Sequence, residues 1–325
     1  MIKKKNIKFS YIIPVFNEEK NIAPLILELT NAAKDLSSIR NYEVIVVDDG
    51  STDDTYKKIL EEKKKYKNLK CIKLTKNCGK SMALSSGFFY SSGDIIITLD
   101  GDLQDNPYEV KKLYSKLKNG SDMVVGFRKN RKDKLSKKIV SRCYNYFVRS
   151  FSKLDISDMN CGLKVFKKSI LDHITIYGQF HRYIPILAHL NGFQVTELEI
   201  SNRPRFSGVS KYKTLRYESL FDLLSIFFLN KFSDNPLHFF GKISLIFLIP
   251  SLITIVYLII KHLFSSLGLI DSFQLVTRPL FSLSLTVLLI GILIMLTGII
   301  CDFILYQQLK EKLKNKIINI STKIN

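Results

Sequence analysis

Residues 243–260 and 280–301 contain no charged side chain, and each run is close to the length a helix needs to cross about 30 Å of hydrocarbon. A soluble core seldom holds two such runs joined by a short link, so the pair reads as two membrane spans. The rest of the 325 residues must therefore be organised outside them. The part that precedes the spans is long enough for one full α/β domain. Its N-terminus, MIKKKNIKF, is basic but has no long apolar stretch and no small-residue cleavage site, so no secretory signal is expected and this part belongs in the cytosol. Lys231, Lys242, Lys310, Lys312, Lys314 and Lys316 flank the inner ends of the spans, whereas the link offers only Lys261 and Arg278. That asymmetry puts both termini on the cytoplasmic side of an integral membrane protein.

A net charge of +20 calls for a negatively charged partner. With two spans present, the lipid bilayer and phosphorylated substrates are the economical choices. Nucleic acid is not expected, because no helix-turn-helix, zinc or RNA-binding signature accompanies the charge. Cys71, Cys78, Cys143, Cys161 and Cys301 form no C-x-x-C pair and no zinc spacing, so they read as reduced residues of a cytosolic domain.

The first 120 residues alternate short β-type runs with helical patterns, which predicts βαβ units and a parallel sheet. Strands are expected at KFSYIIPVF, 42–47, CIKLT, 94–99 and 122–125, with helices at 17–36, from Asp53 onward, at 79–90 and at 108–118. Ser51 or Thr52 is the expected cap of the helix that begins near Asp53. Ile95, Ile96 and Ile97 in succession mark a strand buried on both faces. Residues 128–138 read as a charged loop and 139–151 as an amphipathic helix carrying Arg142 and Arg149. Residues 217–232 are apolar but interrupted by Glu218, Asp222 and Lys231, the pattern of a helix lying flat on a bilayer. Such a helix, with exposed aromatics, leaves room for a homo-oligomer. The expected division is a catalytic domain at 1–215, an interfacial helix at 216–235, a two-helix membrane region at 236–308 and a basic tail at 309–325.

Two acidic turns stand at predicted strand ends. Asp100 and Asp102, separated by Gly101, follow the buried isoleucine strand, at the edge of an α/β sheet where ligands bind. Two carboxylates there can converge on a hard divalent cation that bridges to substrate phosphates. Taken alone, two acids in a polar turn are common in loops. Asp48 and Asp49 open a second turn that leads into a helix N-terminus. No G-x-G-x-x-G and no Walker sequence is present, which disfavours a dinucleotide cofactor and a P-loop.

IPVFNEE, VVDDGSTDDT, KNCGK and TLDGDLQDNP, in this order, closely resemble the family 2 glycosyltransferases of the GT-A fold. The resemblance continues through SDMNCGLKVF, FHRYIPILAHLNGF and NRPRFSGVSKY and includes the two spans, so it covers almost the whole chain. It points to the polyprenyl-phosphate branch, which includes dolichol-phosphate mannose synthases and bactoprenol-phosphate glucosyltransferases, and the two-span layout is more similar to the bacterial members. The implied architecture is a GT-A, Rossmann-like α/β catalytic domain with interfacial amphipathic helices and two C-terminal transmembrane helices.

The resemblance also implies the site. Pro14, Phe16, Glu18, Asp48 and Asp49 would meet the base and ribose of a nucleotide-sugar donor, with Lys80 near its phosphates. Asp100 and Asp102, with Gln104, would hold Mg²⁺ or Mn²⁺. Arg128, Arg142 and Arg205 would grip the phosphate of an undecaprenyl or dolichyl acceptor, a task that suits arginine forks, with Arg203 and Lys211 close enough to substitute for Arg205. Asp158 would lie beside the transferring centre, where it orients substrate, because a lipid phosphate is already anionic and needs no base. His181 and Arg182 match the family without an assigned role. The expected reaction inverts the anomeric carbon, with a UDP-sugar such as UDP-glucose favoured over GDP-mannose. Two rivals are weaker: a processive polysaccharide synthase carries Q-x-x-R-W and this chain has no tryptophan, and an inactive membrane adaptor would not need the acids and arginines intact.

Overall fold

The computed structural model describes residues 7–36, 41–128, 153–201, 203, 222, 224–228, 232, 235–269, 271, 274–275 and 278–321, with side chains as far as 307. The chain divides into two units, Met1–Leu223 and Leu224–Asn325.

In the first unit, β1 (Phe9–Val15), β2 (Tyr42–Asp48), β3 (Leu69–Lys73), β4 (Ile95–Thr98), β5 (Met123–Phe127), β6 (Lys164–Lys167) and β7 (Val195–Glu199) form one seven-stranded sheet in the order β3-β2-β1-β4-β6-β5-β7. β1, β2, β3 and β4 pair in parallel, as the βαβ pattern predicts. β6 is the exception, antiparallel to both β4 and β5. The sequence pattern predicts no strand at KVFK or at VTELE: a short run such as KVFK carries no readable alternation, and only its two neighbours in the sheet make it a strand.

Helices α1 (Glu19–Leu36), α2 (Thr55–Lys65), α3 (Lys80–Phe89), α4 (Val110–Lys118) and α5 (Ile184–Leu190) accompany the sheet. α1 shows why they pack: Ile22, Leu25, Ile26, Leu29 and Ala33 recur at three- and four-residue spacing and are all buried. Burying each of the larger ones contributes about 1.5–3 kcal/mol before conformational entropy is counted. α1 starts at Glu19 and not at Asn17, because Asn17 has a left-handed backbone (φ 52°). The strand at Ile95–Thr98 is buried along its length, as its composition predicts.

Ser51 and Thr52 do not cap α2; its N-cap is Asp54, with no side-chain hydrogen bond. Ser51 Oγ instead accepts the Asn17 N–H at 2.9 Å, and the Thr52 N–H donates to Asn17 Oδ1 at 2.8 Å. These bonds join the β1–α1 and β2–α2 turns, which fixes two walls of the cavity described below.

In the second unit, α6 (Pro236–Ser266) and α7 (Pro279–Ser321) contain the two charge-free runs, and both are long and apolar enough to cross a membrane. Ile246, Ile253, Leu289 and Leu293 are 60–69% exposed in the chain by itself, the kind of apolar surface that marks an interaction face. The two helices pack through small residues: a Cβ on Gly291 would lie 2.8 Å from Leu248, and one on Gly298 would lie 2.9 Å from Phe240. Asp302 Oδ1 accepts the Leu237 N–H at 3.3 Å, satisfying one of the open donors at the start of α6. The proposed interfacial helix falls largely outside the described residues, which include helical positions 224–228.

Candidate active site

Strand order reverses between β1 and its neighbours β2 and β4, and the carboxyl ends of strands at such a reversal are where open α/β sheets bind ligands. A cavity of about 300 Å³ lies there, lined by Pro14, Val15 and Phe16 after β1, Glu18, Asp49 after β2, Asn77, Gly79 and Lys80 at the start of α3, Asp100, Gly101 and Asp102 after β4, and Gln179 and His181. Seven of the residues expected from the sequence thus line its wall: Pro14, Phe16, Glu18, Asp49, Lys80, Asp100 and Asp102.

Asp48 and Gln104 are not on that wall. Asp48 is fully buried behind the turn, and its Oδ1 accepts the Ser51 N–H at 3.0 Å. Gln104 touches the acidic turn through its main chain, donating N–H to Asp102 Oδ1 at 3.2 Å. Asp49 lines the cavity, but both its oxygens serve the protein, accepting the Cys78 N–H at 2.8 Å and the Gly79 N–H at 2.9 Å. That pair of bonds sets the β3–α3 loop in place and presents the N-terminus of α3 to the cavity. Burial, together with the neighbouring Asp48, raises the Asp49 pKa against these bonds.

The acidic turn depends on glycine twice. A Cβ on Gly101 would lie 2.6 Å from Val15 Cγ1, so only glycine lets the turn close against β1. A Cβ on Gly162, just before β6, would lie 2.6 Å from Asp100 Cγ and 2.5 Å from Asp105 Oδ2. Gly162→Ala must therefore push both carboxylates aside. The expected result is a loss of about 1–3 kcal/mol in stability, read by chemical denaturation; an unchanged stability would refute the placement.

Charges crowd behind the turn. Lys80 Nζ reaches Asp100 Oδ1 at 2.5 Å. Burial opposes the charge of Asp100, but Lys80, Lys164 and Arg128 outweigh it and lower the pKa. Asp105, 3% exposed, accepts the Asp100 N–H and goes the other way: burial and then the Asp100 charge push it up to about 7. Lys164 is buried and donates to the Cys161 carbonyl, and its desolvation lowers its pKa. Arg128 Nε and Asp158 Oδ2 form an ion pair at 2.8 Å, each side chain only 10% exposed. Arg128 Nη2 is buried with no partner among the described residues.

Arg142, Arg205 and Lys211 lie outside the described residues. Arg203 pairs with Glu28 through Nη1 at 2.5 Å. Asp105, Gly162, Lys164 and Ser81 are not singled out by the sequence pattern. The first three lie inside quoted motifs and Ser81 directly follows KNCGK, which is the signal available for them. Cys71, Cys78, Cys161 and Cys301 are free thiols, as their spacing suggests, and Cys143 is outside the described residues.

Among the described residues no three His, Cys, Asp or Glu side chains form a ready metal cluster. Asp100 and Asp102 in the cavity lining still fit a hard cation of the Mg²⁺ type, which takes one or two protein carboxylates and completes its shell with water and substrate phosphates.

The family model "Glycosyl transferase family 2" matches residues 10–175, the span that contains β1 to β6 and the acidic turns. A dodecaprenyl-phosphate galacturonate synthase from Rhizobium johnstonii is 32% identical over 310 residues, covering 92% of this chain and 88% of its own. An undecaprenyl-phosphate 4-deoxy-4-formamido-L-arabinose transferase from Salmonella choleraesuis is 33% identical over 220 residues, 67% of either chain. Among solved structures, glucosyl-3-phosphoglycerate synthase from Mycobacterium tuberculosis superposes with a TM-score of 0.51 at 19% identity, over 69% of this chain and 80% of that one; it shares the fold. The sheet with its antiparallel β6, the cavity at the strand reversal and the length of these matches lead to one assignment: the chain belongs to glycosyl transferase family 2.

Proposed function

We propose that this protein transfers a sugar from a nucleoside-diphosphate sugar to the phosphate of a polyprenyl lipid, at the cytoplasmic face of a membrane held by α6 and α7. The observation that carries the reading is the cavity wall itself, where Asp100, Asp102 and Lys80 meet the N-terminus of α3 beside Pro14, Phe16 and Glu18. Phe16 and Glu18 suit a nucleoside, and Lys80 with the α3 N-terminus suits a diphosphate. The names of the two relatives, both polyprenyl-phosphate enzymes, support the acceptor class.

In this reading the aromatic ring of Phe16 and the polar edge of Glu18 hold the nucleoside, and Lys80 swings from Asp100 towards the diphosphate. A divalent cation held by Asp100 and Asp102 would neutralise charge that appears on the departing diphosphate. Arg128, fixed by Asp158 through Nε, would supply positive charge to the acceptor phosphate. An oxygen of that phosphate attacks the anomeric carbon, the bond to the nucleoside diphosphate breaks, and configuration inverts. The protein contributes position and fixed charge. Arg142 and Arg205 complete the phosphate grip, and the lysines around the spans place both termini in the cytoplasm.

Glucose, the donor sugar expected from the sequence, has no support from the relatives, whose names give galacturonate and 4-deoxy-4-formamido-L-arabinose. The donor is therefore a uronate or amino-pentose nucleotide before it is a neutral hexose. The test is transfer to undecaprenyl phosphate in detergent from UDP-linked galacturonate, formamido-arabinose and glucose and from GDP-mannose, with and without Mg²⁺ or Mn²⁺. Formation of a lipid-linked sugar from one donor is the expected result. No transfer from any of them by folded protein would overturn the reading in favour of an inactive lipid-binding adaptor.

A further inference from the structure

We propose that His181 is an uncharged hydrogen-bond donor to the diphosphate of the bound nucleotide, presented through Nε2 and locked in that tautomer by Ser81. This rests on the reading of the cavity as a nucleotide-sugar site and adds a binding residue to it.

The tautomer follows from two hydrogen bonds. The His181 main-chain N–H donates to Ser81 Oγ at 3.1 Å, and the same hydroxyl lies 3.0 Å from His181 Nδ1. A main-chain N–H can only donate, so it uses one lone pair of the hydroxyl. Ser81 is 1% exposed, and among the described residues its hydroxyl meets no other acceptor. Its proton must therefore go to Nδ1, since the alternative leaves a buried hydroxyl proton unsatisfied. With Nδ1 accepting, the ring proton is on Nε2.

The ring also stays neutral. His181 is 7% exposed, and burial first, then the cations Lys80, Arg182 and Lys164, push its pKa down to about 2, against the opposing pull of Asp100. The cavity thus has a donor that adds direction without adding a positive charge beside Lys80.

Three features specify the ligand oxygen as anionic. His181 lines the cavity together with Lys80 and Gly79. Gly79 is the N-cap of α3, a helix of 10 residues whose N-terminus favours anions. Lys164 and Arg182 add positive potential at the ring. A sugar hydroxyl would gain little from these charges, whereas a diphosphate uses all of them.

The experiment measures equilibrium binding to the protein in detergent of UDP or GDP, whichever the wild type binds, beside the matching monophosphate and sugar nucleotide. His181→Phe keeps a ring and removes the donor. It is expected to weaken diphosphate binding by about tenfold while leaving the monophosphate within about twofold. His181→Gln, whose amide nitrogen reaches as far as Nε2, restores affinity to within about threefold. His181→Asn, whose shorter amide corresponds to Nδ1, does not. The Gln and Asn contrast decides the matter even where the Phe variant folds poorly. Diphosphate affinity unchanged in His181→Phe, an equal loss for mono- and diphosphate, or a loss confined to the sugar nucleotide would each overturn the proposal. A wild type that binds no nucleoside diphosphate would instead overturn the proposed function on which it rests.

Discussion

On the proposed function, Asp102→Asn is expected to lower metal-supported sugar transfer by about a thousandfold, with the melting temperature within a few degrees of wild type. Loss of several kcal/mol of charge stabilisation at the departing diphosphate corresponds to that factor. Asparagine keeps the size of the side chain and an oxygen that can accept the Gln104 N–H, now received by Asp102 Oδ1, so the fold should be little affected. The measurement is initial rate against Mg²⁺ or Mn²⁺ concentration for both proteins, with thermal unfolding alongside. A variant that keeps its rate and its metal response would remove Asp102 from the site. An equal loss with unfolding at ordinary temperature would mean that the carboxylate serves the fold.

Asp158→Leu is expected to give the largest loss of stability. It strands the Arg128 guanidinium, whose side chain is 10% exposed and whose Nη2 already lacks a partner among the described residues. Removing one member of a buried ion pair typically costs about 3–5 kcal/mol, because the remaining charge stays desolvated. Arg128 cannot escape by losing its proton, because a guanidinium stays protonated even when buried and unpaired. The double variant Asp158→Leu, Arg128→Met removes both charges and should recover most of that stability without recovering transfer. Chemical denaturation and transfer rates, read on the two single variants and the double, separate the roles. If the double variant regained activity, the pair would be structural alone. If neither single variant lost stability, Arg128 and Asp158 would not form a buried pair.

Much of the catalytic half is legible in the amino-acid sequence. The isoleucine run at 95–97 predicts a strand buried on both faces, and β4 is that strand. The motifs around Pro14, Asp49, Lys80 and Asp100 predict one site, and these residues do line one cavity. The reason is local: parallel strands end their apolar runs abruptly, and the residues that follow are placed at the sheet edge by chain direction alone.

Other features have no local signal. Ser51 and Thr52 have the chemistry of helix caps, and nothing nearby says that Asn17, 34 residues before Ser51, will take both. KVFK reads as ordinary sequence until β4 and β5 pair with it from either side. Gly162 stands inside SDMNCGLKVF, but only folding brings it against two carboxylates. The Ser81 and His181 contact joins residues 100 apart.

The sequence by itself determined what can be written in a period or a composition: two helices long and apolar enough to cross a membrane, a βαβ series, and acids at strand ends. Those properties depend on neighbours three or four positions away, or on the sum of transfer free energies along a run. The tertiary structure decided which oxygen faces the cavity and which serves the main chain, which arginine is paired, and which nitrogen of His181 carries the proton. Each of those depends on a donor and an acceptor meeting within about 3 Å, and residues far apart in the chain reach that distance only once the sheet and its helices have packed.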